Sequence, residues 1–305
     1  MIPFLCPLLF ICLSLDLPAA YEGYSDAVPY HDMFLAVGTG GRIDCFDKSG
    51  TRIRTCGSQQ NNLNCAAVRD RLAFAGGDRG TVLWSADGEA FELANTGTTK
   101  NINGMAARKD LIIAGADKGV LLVSADGKSW SMIEPGVTGN IVSVAASESY
   151  FMAVTDEGEI LKSDDGLAWE VTDYNEKYSG YYKPCVFSGI LAEGNTIVIC
   201  GRHYDGTPAV ITSTLGNVWA ERLLNYRDDH GVLRFLSNLP NSIAYDRERD
   251  QHILACDKGE IFSLPSCTKC NASAIVSGSD IYAIACHDGV LFCGGRGFSF
   301  RVVSL

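Results

Sequence analysis

Short apolar runs, each broken by a polar turn that contains Gly, recur along this chain at a fixed interval. DMFLAVGTGGRIDCFDKSG, DRLAFAGGDRGTVLWSADG, DLIIAGADKGVLLVSADG and SYFMAVTDEGEILKSDDG align without gaps, and their turn glycines Gly41, Gly80, Gly119 and Gly158 each follow the last by 39 residues. DQHILACDKGEIFSLPS around Gly259 and DIYAIACHDGVLFCGGRG around Gly289 are further copies, and NTIVICGRHYDGTPAVITSTLG, turning near Gly206, is an irregular one. In the third copy, INGMAAR, DLIIAGA, GVLLVSA and SWSMIEP read as four short strands. Val, Ile and aromatic residues between Gly/Asp turns favour strands, and Gly accepts the positive φ of tight hairpins. No stretch carries a helical period. One four-stranded sheet of about 40 residues cannot bury both faces, whereas a radial array lets neighbours cover each other. The pattern predicts an all-β chain: a single β-propeller of about seven four-stranded antiparallel blades. Six is the alternative, because only 30 residues separate Gly259 from Gly289, so the blade at Gly259 is expected to lack a normal fourth strand.

Composition adds bounds. A chain of 305 residues with 47% hydrophobic content suits one large closed all-β domain. A net charge of −11 with no basic block disfavours nucleic acid as a partner. Residues 1–20, MIPFLCPLLFICLSLDLPAA, hold an apolar run from Phe4 to Leu15 followed by Pro18-Ala19-Ala20, the pattern of a secretory leader and its cleavage site. A hydrophobic closing strand is the other reading of this stretch. Aligning Asp32 with Asp110 puts Gly23–His31 on the first strand of the first blade and leaves residues 1–20 outside the repeat, which favours their removal. The apolar run is too short to span a bilayer. The expectation is a soluble propeller over residues 21–305, secreted or periplasmic, monomeric and without a transmembrane segment.

Of the twelve cysteines, Cys6 and Cys12 would leave with the leader. In an oxidising compartment some of the ten others would pair, with the pairing open. Cys65, Cys200, Cys256, Cys286 and Cys293 sit in apolar runs where a reduced thiol packs as a small hydrophobe. Cys267 and Cys270 form one CxxC with no second pair, short of the four ligands zinc needs, so no metal and no cofactor are expected. Asn271-Ala272-Ser273 is a glycosylation sequon.

A second motif is superimposed on the repeat: SADGEAF (85–91), SADGKSW (124–130) and SDDGLAW (163–169), with a degenerate STLGNVW at 213–219. Ser-x-Asp-Gly-x-x-Trp repeated in register resembles the Asp box, or BNR repeat, of sialidases, sortilin-type receptors and photosystem II assembly-factor propellers. These boxes are one residue shorter than the commonest form. Their side chains read as hairpin staples: Ser85, Asp87, Ser124, Asp126, Ser163 and Asp165 bonding their own turns, with Phe91, Trp130, Trp169 and Trp219 wedged between blades. They lie on separate blades and are expected to be structural.

The repeat is broken at 174–185 (YNEKYSGYYKPC), 201–208 (GRHYDGTP) and 225–240 (NYRDDHGVLRFLSNLP). The first and third link blades and the second joins a second to a third strand, so all three should project from one face, opposite the boxes, around the fifth blade. Such one-sided insertions mark a binding side. They supply the candidate binding residues Tyr178, Tyr181, Tyr182, Arg202, His203, Tyr204, Asp205, Tyr226, Arg227, Asp228, His230 and Arg234. Tyr and Arg are typical interface anchors. The expected function is a non-catalytic binding or assembly propeller for a protein, peptide or glycan. The alternative is a sialidase-like glycoside hydrolase. That resemblance implies a three-Arg clamp, a Tyr nucleophile with a Glu partner, an acid and an early Arg-Ile-Pro motif. Here Arg52-Ile53-Arg54 runs into Thr55, Glu176 is the sole Glu beside the Tyr-rich loops, and Arg202, Arg227 and Arg234 come from adjacent segments. No catalytic residue is assigned. Gly294-Gly295-Arg296-Gly297 aligns with a box and reads as a hairpin turn, not a phosphate cradle.

Overall fold

A computed structural model describes residues 22–56, 60–108, 110–227, 230–265, 271–275 and 279–305, with residues 227, 265 and 271–275 by backbone only. The apolar stretch 1–20, for which a leader is the expectation, and Cys267, Cys270 and Asp228 lie outside the described residues.

The chain is a seven-bladed β-propeller. The blades span 24–55, 63–93, 102–133, 141–173, 185–221, 240–275 and 281–304, and each is an antiparallel meander in sequence order. Six carry four strands and the seventh, among the described residues, three. The four strands expected in the third copy are all present: Ile102–Ala107, Ile112–Ala116, Leu121–Ser124 and Ser131–Ile133. One helical turn, Tyr174–Lys177, interrupts the pattern. Second strands are buried on both faces, as Ile112–Ala116 is throughout, because each sheet is sandwiched between neighbours. Apolar clusters accordingly straddle the seams, Phe74 of blade two packing with Ile102, Met105 and Leu122 of blade three.

Two corrections concern the last blades. The sixth has its fourth strand, Asn271–Ile275, paired to the third with a bulge. The 30-residue spacing arose because Gly289 turns between the first and second strands of blade seven, Ile281–His287 and Val290–Gly295, whereas Gly259 turns between second and third strands. Asp-Gly turns serve both hairpins, so the motif alone cannot tell them apart. By the same token Gly294–Gly297 is not a box position. It joins Val290–Gly295 to Phe300–Ser304, the counterpart of the turn at Gly80.

The inner strand of every blade has a bulge at the same point. The skipped residues are Ser25, Asn64, Asn103, Val142, Ser188, Asn241 and Tyr282. A bulge turns one side chain out of the ladder, and here it reaches the next blade. Asn64 Nδ2 donates to Ile102 O (3.0 Å), Asn103 to Ile141 O (3.2 Å), Ser188 Oγ to Pro240 O (3.0 Å) and Asn241 to Ile281 O (3.2 Å). A second seam bond holds the second-to-third hairpins. Asn62, Asn101 and Asn140 each accept from the backbone N–H of Gly40, Arg79 and Lys118 at 3.0 Å. Arg79 and Lys118 have φ of 57° and 56°, a conformation unfavourable for residues with a Cβ and here fixed by the following blade.

The ring closes between blades seven and one. Tyr24 stacks edge-on against Phe46, Phe292 and Phe298, and its hydroxyl donates to the fully buried Asp44. Arg42 Nε (2.7 Å) and Thr55 Oγ1 (2.5 Å) complete the carboxylate's shell.

Candidate functional site

On the face away from the insertions, the Ser-x-Asp-Gly turns are stapled as expected. Ser124 Oγ accepts from Gly127 N (2.8 Å) while Asp126 Oδ1 accepts from Lys128 N (2.8 Å) and Ser129 N (2.9 Å). Ser85/Asp87 and Ser163/Asp165 repeat the pattern. Backbone N–H donors hold all three carboxyls below their usual range. A Cβ on Gly127 would run into Phe74 of the preceding blade, so each turn is pressed across a seam. Phe91, Trp130 and Trp169 are half-buried in those seams, and Trp219 is buried. At 213–219 the Asp is missing; Ser213 Oγ donates to Val218 O (2.5 Å) and Leu215 takes φ 65°.

The opposite face is built differently at blade five. Its first three strands, Cys185–Glu193, Thr196–His203 and Pro208–Thr214, are longer than those of blades two to four, which lifts the hairpin at Tyr204–Thr207 above its neighbours. Asp173 caps the helical turn through Glu176 N (2.9 Å). Asn175 then takes over the seam: its Nδ2 donates to Glu157 O (2.9 Å) and Cys185 O (3.0 Å), and its Oδ1 accepts from Cys185 N (2.7 Å). Behind it Tyr174, Tyr178 and Tyr182 form a stack, with centroids 4.9 Å apart for Tyr174–Tyr178 and 6.1 Å for Tyr178–Tyr182. Tyr178 Oη accepts from Trp219 N (3.1 Å). These three rings support the loop from below. Tyr181 and Tyr204 stand clear of it, 83% and 61% exposed. Their segments are tied together: Tyr204 N donates to Pro184 O (3.1 Å), and Lys183 Nζ lies 2.6 Å from Asp205. Lys183 and Thr207 hold the Asp205 carboxyl well below the usual carboxylate range. Arg202 is exposed on the same hairpin.

His203 is not part of that surface. It is buried, with Nε2 2.9 Å from Glu221 Oε1 and Nδ1 3.3 Å from Cys185 Sγ. A carboxylate accepting from Nε2–H leaves Nδ1 as the acceptor for the thiol. The order acid–imidazole–thiol is that of a nucleophilic relay, but burial, with Glu221 adding to it, pushes the thiol up to about 12, and Cys185 is fully buried. Thiolate is therefore scarce and out of reach. Glu221 and Cys185 face opposite ring nitrogens of His203, so the three groups cannot share one ion. This chain of contacts is a strut between the first, second and fourth strands of blade five.

The third insertion lies apart. Asn225–Arg227 and Leu233–Phe235 form a hairpin, and Leu224, Tyr226 and Leu236 anchor it in the seam between blades five and six, Tyr226 packing on Phe262 at 5.4 Å. His230 and Arg234 are exposed on it, as are Val232, Leu233 and Phe235. The described contacts bring the first two insertions together and leave this hairpin as a separate feature.

Sequence reasoning passed over three groups. Cys185 and Glu221, the partners of His203, each stand 18 residues away in sequence, and nothing local marks them. Asn62, Asn101 and Asn140 do carry a readable signal, the 39-residue interval itself. The inner strands enclose a channel of about 790 Å³ whose lining includes Asp26, Asn64, Asn103, Ser143 and Asn241. Burial pushes the Asp26 carboxyl up to about 7 although Ala66 N and Ala27 N both donate to it. A second cavity of about 730 Å³ opens on the box side between blades five and six, beside Thr212, Arg222, Tyr245 and His252. At the seam of blades seven and one, Asp32, His287 and Asp288 converge, and Lys48 Nζ lies 3.6 Å from Asp32 and 2.6 Å from Asp288, supplying the counter-charge.

Among solved structures, the chain is similar to the WD40 β-propeller domain of Doa1, with 12% identity, 92% of both chains covered and a TM-score of 0.67. The WD40 domain of Neurospora crassa Pan2 gives 10% identity, coverage of 92% and 88%, and a TM-score of 0.69. The computationally designed Ika8 protein gives 12%, 93% and 97%, and 0.65. At these identities the likeness is one of fold. No family model and no curated protein matches the sequence.

Proposed function

We propose that this chain is a non-catalytic interaction propeller that docks a protein or peptide partner on the face carrying the first two fifth-blade insertions. The observation that carries the reading is the pair Tyr181 and Tyr204, exposed on a base locked by the Tyr174–Tyr178–Tyr182 stack, Asn175 and the Lys183–Asp205 bridge. Aromatic rings presented on a rigid support lose little freedom on binding and dominate interface energies. Arg202 adds an exposed cation beside them. Two rigid neighbours favour a partner with matching relief over a disordered capture loop.

The stapled turns keep the chain close in character to Asp-box propellers. Arg202 and Arg234 stand on a rim hairpin and on the outer hairpin, and neither lines the central channel. That placement supports binding over an arginine clamp on a substrate carboxylate. On the same reading, the apolar stretch at residues 1–20, read as a secretory leader, supports an activity outside the cytosol. A photo-crosslinking residue in place of Tyr181 or Tyr204 should capture one partner in the native host, while the same residue in place of Leu167, 57% exposed on the box face, should not. Equal labelling from both faces would dispose of the assignment.

A further inference from the structure

The described cysteines are free thiols, and several have partners of another kind. Cys65 Sγ meets Gly76 O, Cys185 meets His203, and Cys200 meets Ser188. Cys45 and Cys56 stand out as near neighbours in one cluster. Cys45 lies on the third strand of blade one, Arg42–Asp47, and Cys56 directly follows the fourth, Arg52–Thr55. Cys45 is paired with Arg54, and Cys56 N donates to Ile43 O at 2.8 Å. Cys56 is thus opposite Ile43, and Cys45 is its diagonal neighbour on the same face of the sheet. That face packs into the seam with blade two, where both cysteines belong to one apolar cluster with Leu63, Ala66, Leu83 and Phe91. Cross-strand diagonal neighbours stand roughly 7–8 Å apart, a little beyond the span of a disulfide, so closing the bridge draws the outer strand inward.

We propose that Cys45 and Cys56 form a disulfide-forming pair that fastens the outer strand of blade one, with a low-molecular-weight disulfide such as glutathione disulfide as the oxidant. The two thiols differ in access. Cys56 is part-exposed and Cys45 fully buried. Burial pushes the Cys45 thiol up to about 12 and raises Cys56 as well, while the Arg54 guanidinium opposes both shifts. Cys56 is therefore the entry point. Its thiolate attacks one sulfur of glutathione disulfide, a mixed disulfide forms, and one glutathione thiolate leaves. Cys45 then gives up its proton and attacks the Cys56 sulfur, expelling the second glutathione, which takes that proton. Two protein thiols are oxidised and one glutathione disulfide is reduced to two glutathiones. Cys56 Sγ also lies 3.5 Å from Gly88 O, so the bridge would sit against the first stapled turn of blade two.

The test uses the full chain in glutathione buffers of rising oxidised fraction, quenched by alkylation and digested with trypsin without reductant. Lys48, Arg52 and Arg54 lie between the cysteines, so the bridge appears as two linked peptides, 43–48 and 55–69, and fragmentation of the second assigns the link to Cys56 or to Cys65, which shares that peptide. The expected result is that this linkage saturates before Cys65, Cys185 or Cys200 react. In Cys45→Ser, Cys56 should stop as a stable glutathione adduct, and in Cys56→Ser, Cys45 should stay reduced. Cys45→Ala serves the same purpose should the hydroxyl prove disruptive in the core. A stable adduct on Cys56 in the unmutated chain, or two thiols still alkylatable in the most oxidising buffer, would overturn the proposal.

Discussion

Blades three and five solve the same problem with different parts. Each must tie its polar hairpins to its neighbours without leaving buried N–H or C=O groups unpaired. Blade three uses short side chains at fixed intervals: Asn101 for the hairpin before it, Asn103 for the carbonyl after it, and Ser124 with Asp126 for its own outer turn. Blade five has lost the Asp of that turn and relies on an eleven-residue link whose Asn175 and Tyr178, together with the buried His203 at the end of its second strand, make equivalent ties from further away. The lesson is that irregularity here is not looseness. The inner residues of the long link and of the adjoining hairpin satisfy the seam, so the outer ones, Tyr181 of the link and Tyr204 of the hairpin, are released from structural duty.

The largest expected effect tests that claim on the indoles. Trp219 is 2% exposed within the cluster joining blades four and five, whereas Trp130 is half-buried. Trp219→Ala should cost about 3–5 kcal/mol and Trp130→Ala about half as much, by urea unfolding with unchanged slope. Equal losses would mean that the irregular blade is no better wedged than the regular ones.

Acid should separate the two regions next. His252 is buried at the seam of blades five and six, and burial lowers it to about 4, Asp250 opposing weakly. A histidine depressed in the fold binds its proton more readily when unfolded. Its contribution is present above about pH 6.5 and is lost as pH falls toward 4, up to roughly 3 kcal/mol. The seam between blades three and four is packed by Ile113, Val144 and Phe151 instead. Hydrogen exchange at pH 5 should therefore open blades five and six first. His252→Gln should flatten the difference; if both seams respond alike, burial of this ring is not what distinguishes them.

The regular blades were readable because their information is local. Turn glycines such as Gly80 and Gly119, alternating with apolar runs, name strand, turn and interval together, and Ser-x-Asp-Gly declares its own hairpin. Reading stopped where meaning depended on depth. His203 and Tyr204 are adjacent in a polar loop, yet one is 4% exposed and the other 61%, because the lengthened second strand ends between them. Cys185 and Glu221 meet His203 only across strand pairings. His287-Asp288-Gly289 misled for a related reason, since the same tripeptide chemistry closes two kinds of hairpin.

A smaller effect probes the regular side. Asn103→Ala removes the bonds to Asp117 and to Ile141 O, and should cost about 1–2 kcal/mol. Asn64→Ala, its counterpart one blade earlier, also bonds an Asp of its own hairpin and a carbonyl of the next blade. The two losses should agree within a few tenths of a kcal/mol, as expected of repeated units. Disagreement would show that the interval repeats in sequence without repeating in energy.

The smallest stability effect is expected where function is proposed. Tyr181→Ala and Tyr204→Ala remove rings that touch solvent, so each should change unfolding free energy by less than about 0.5 kcal/mol. Tyr174→Ala and Tyr182→Ala act on the support instead, and Tyr174 is 1% exposed, so they should destabilise clearly. If the outer pair serves recognition and the inner pair only holds it up, partner affinity should fall on removing either pair, but thermal stability only on removing the inner one. A stability loss from Tyr181→Ala as large as that from Tyr182→Ala would erase the division of labour on which the comparison of the two blades rests, because the outer rings would then be ordinary packing.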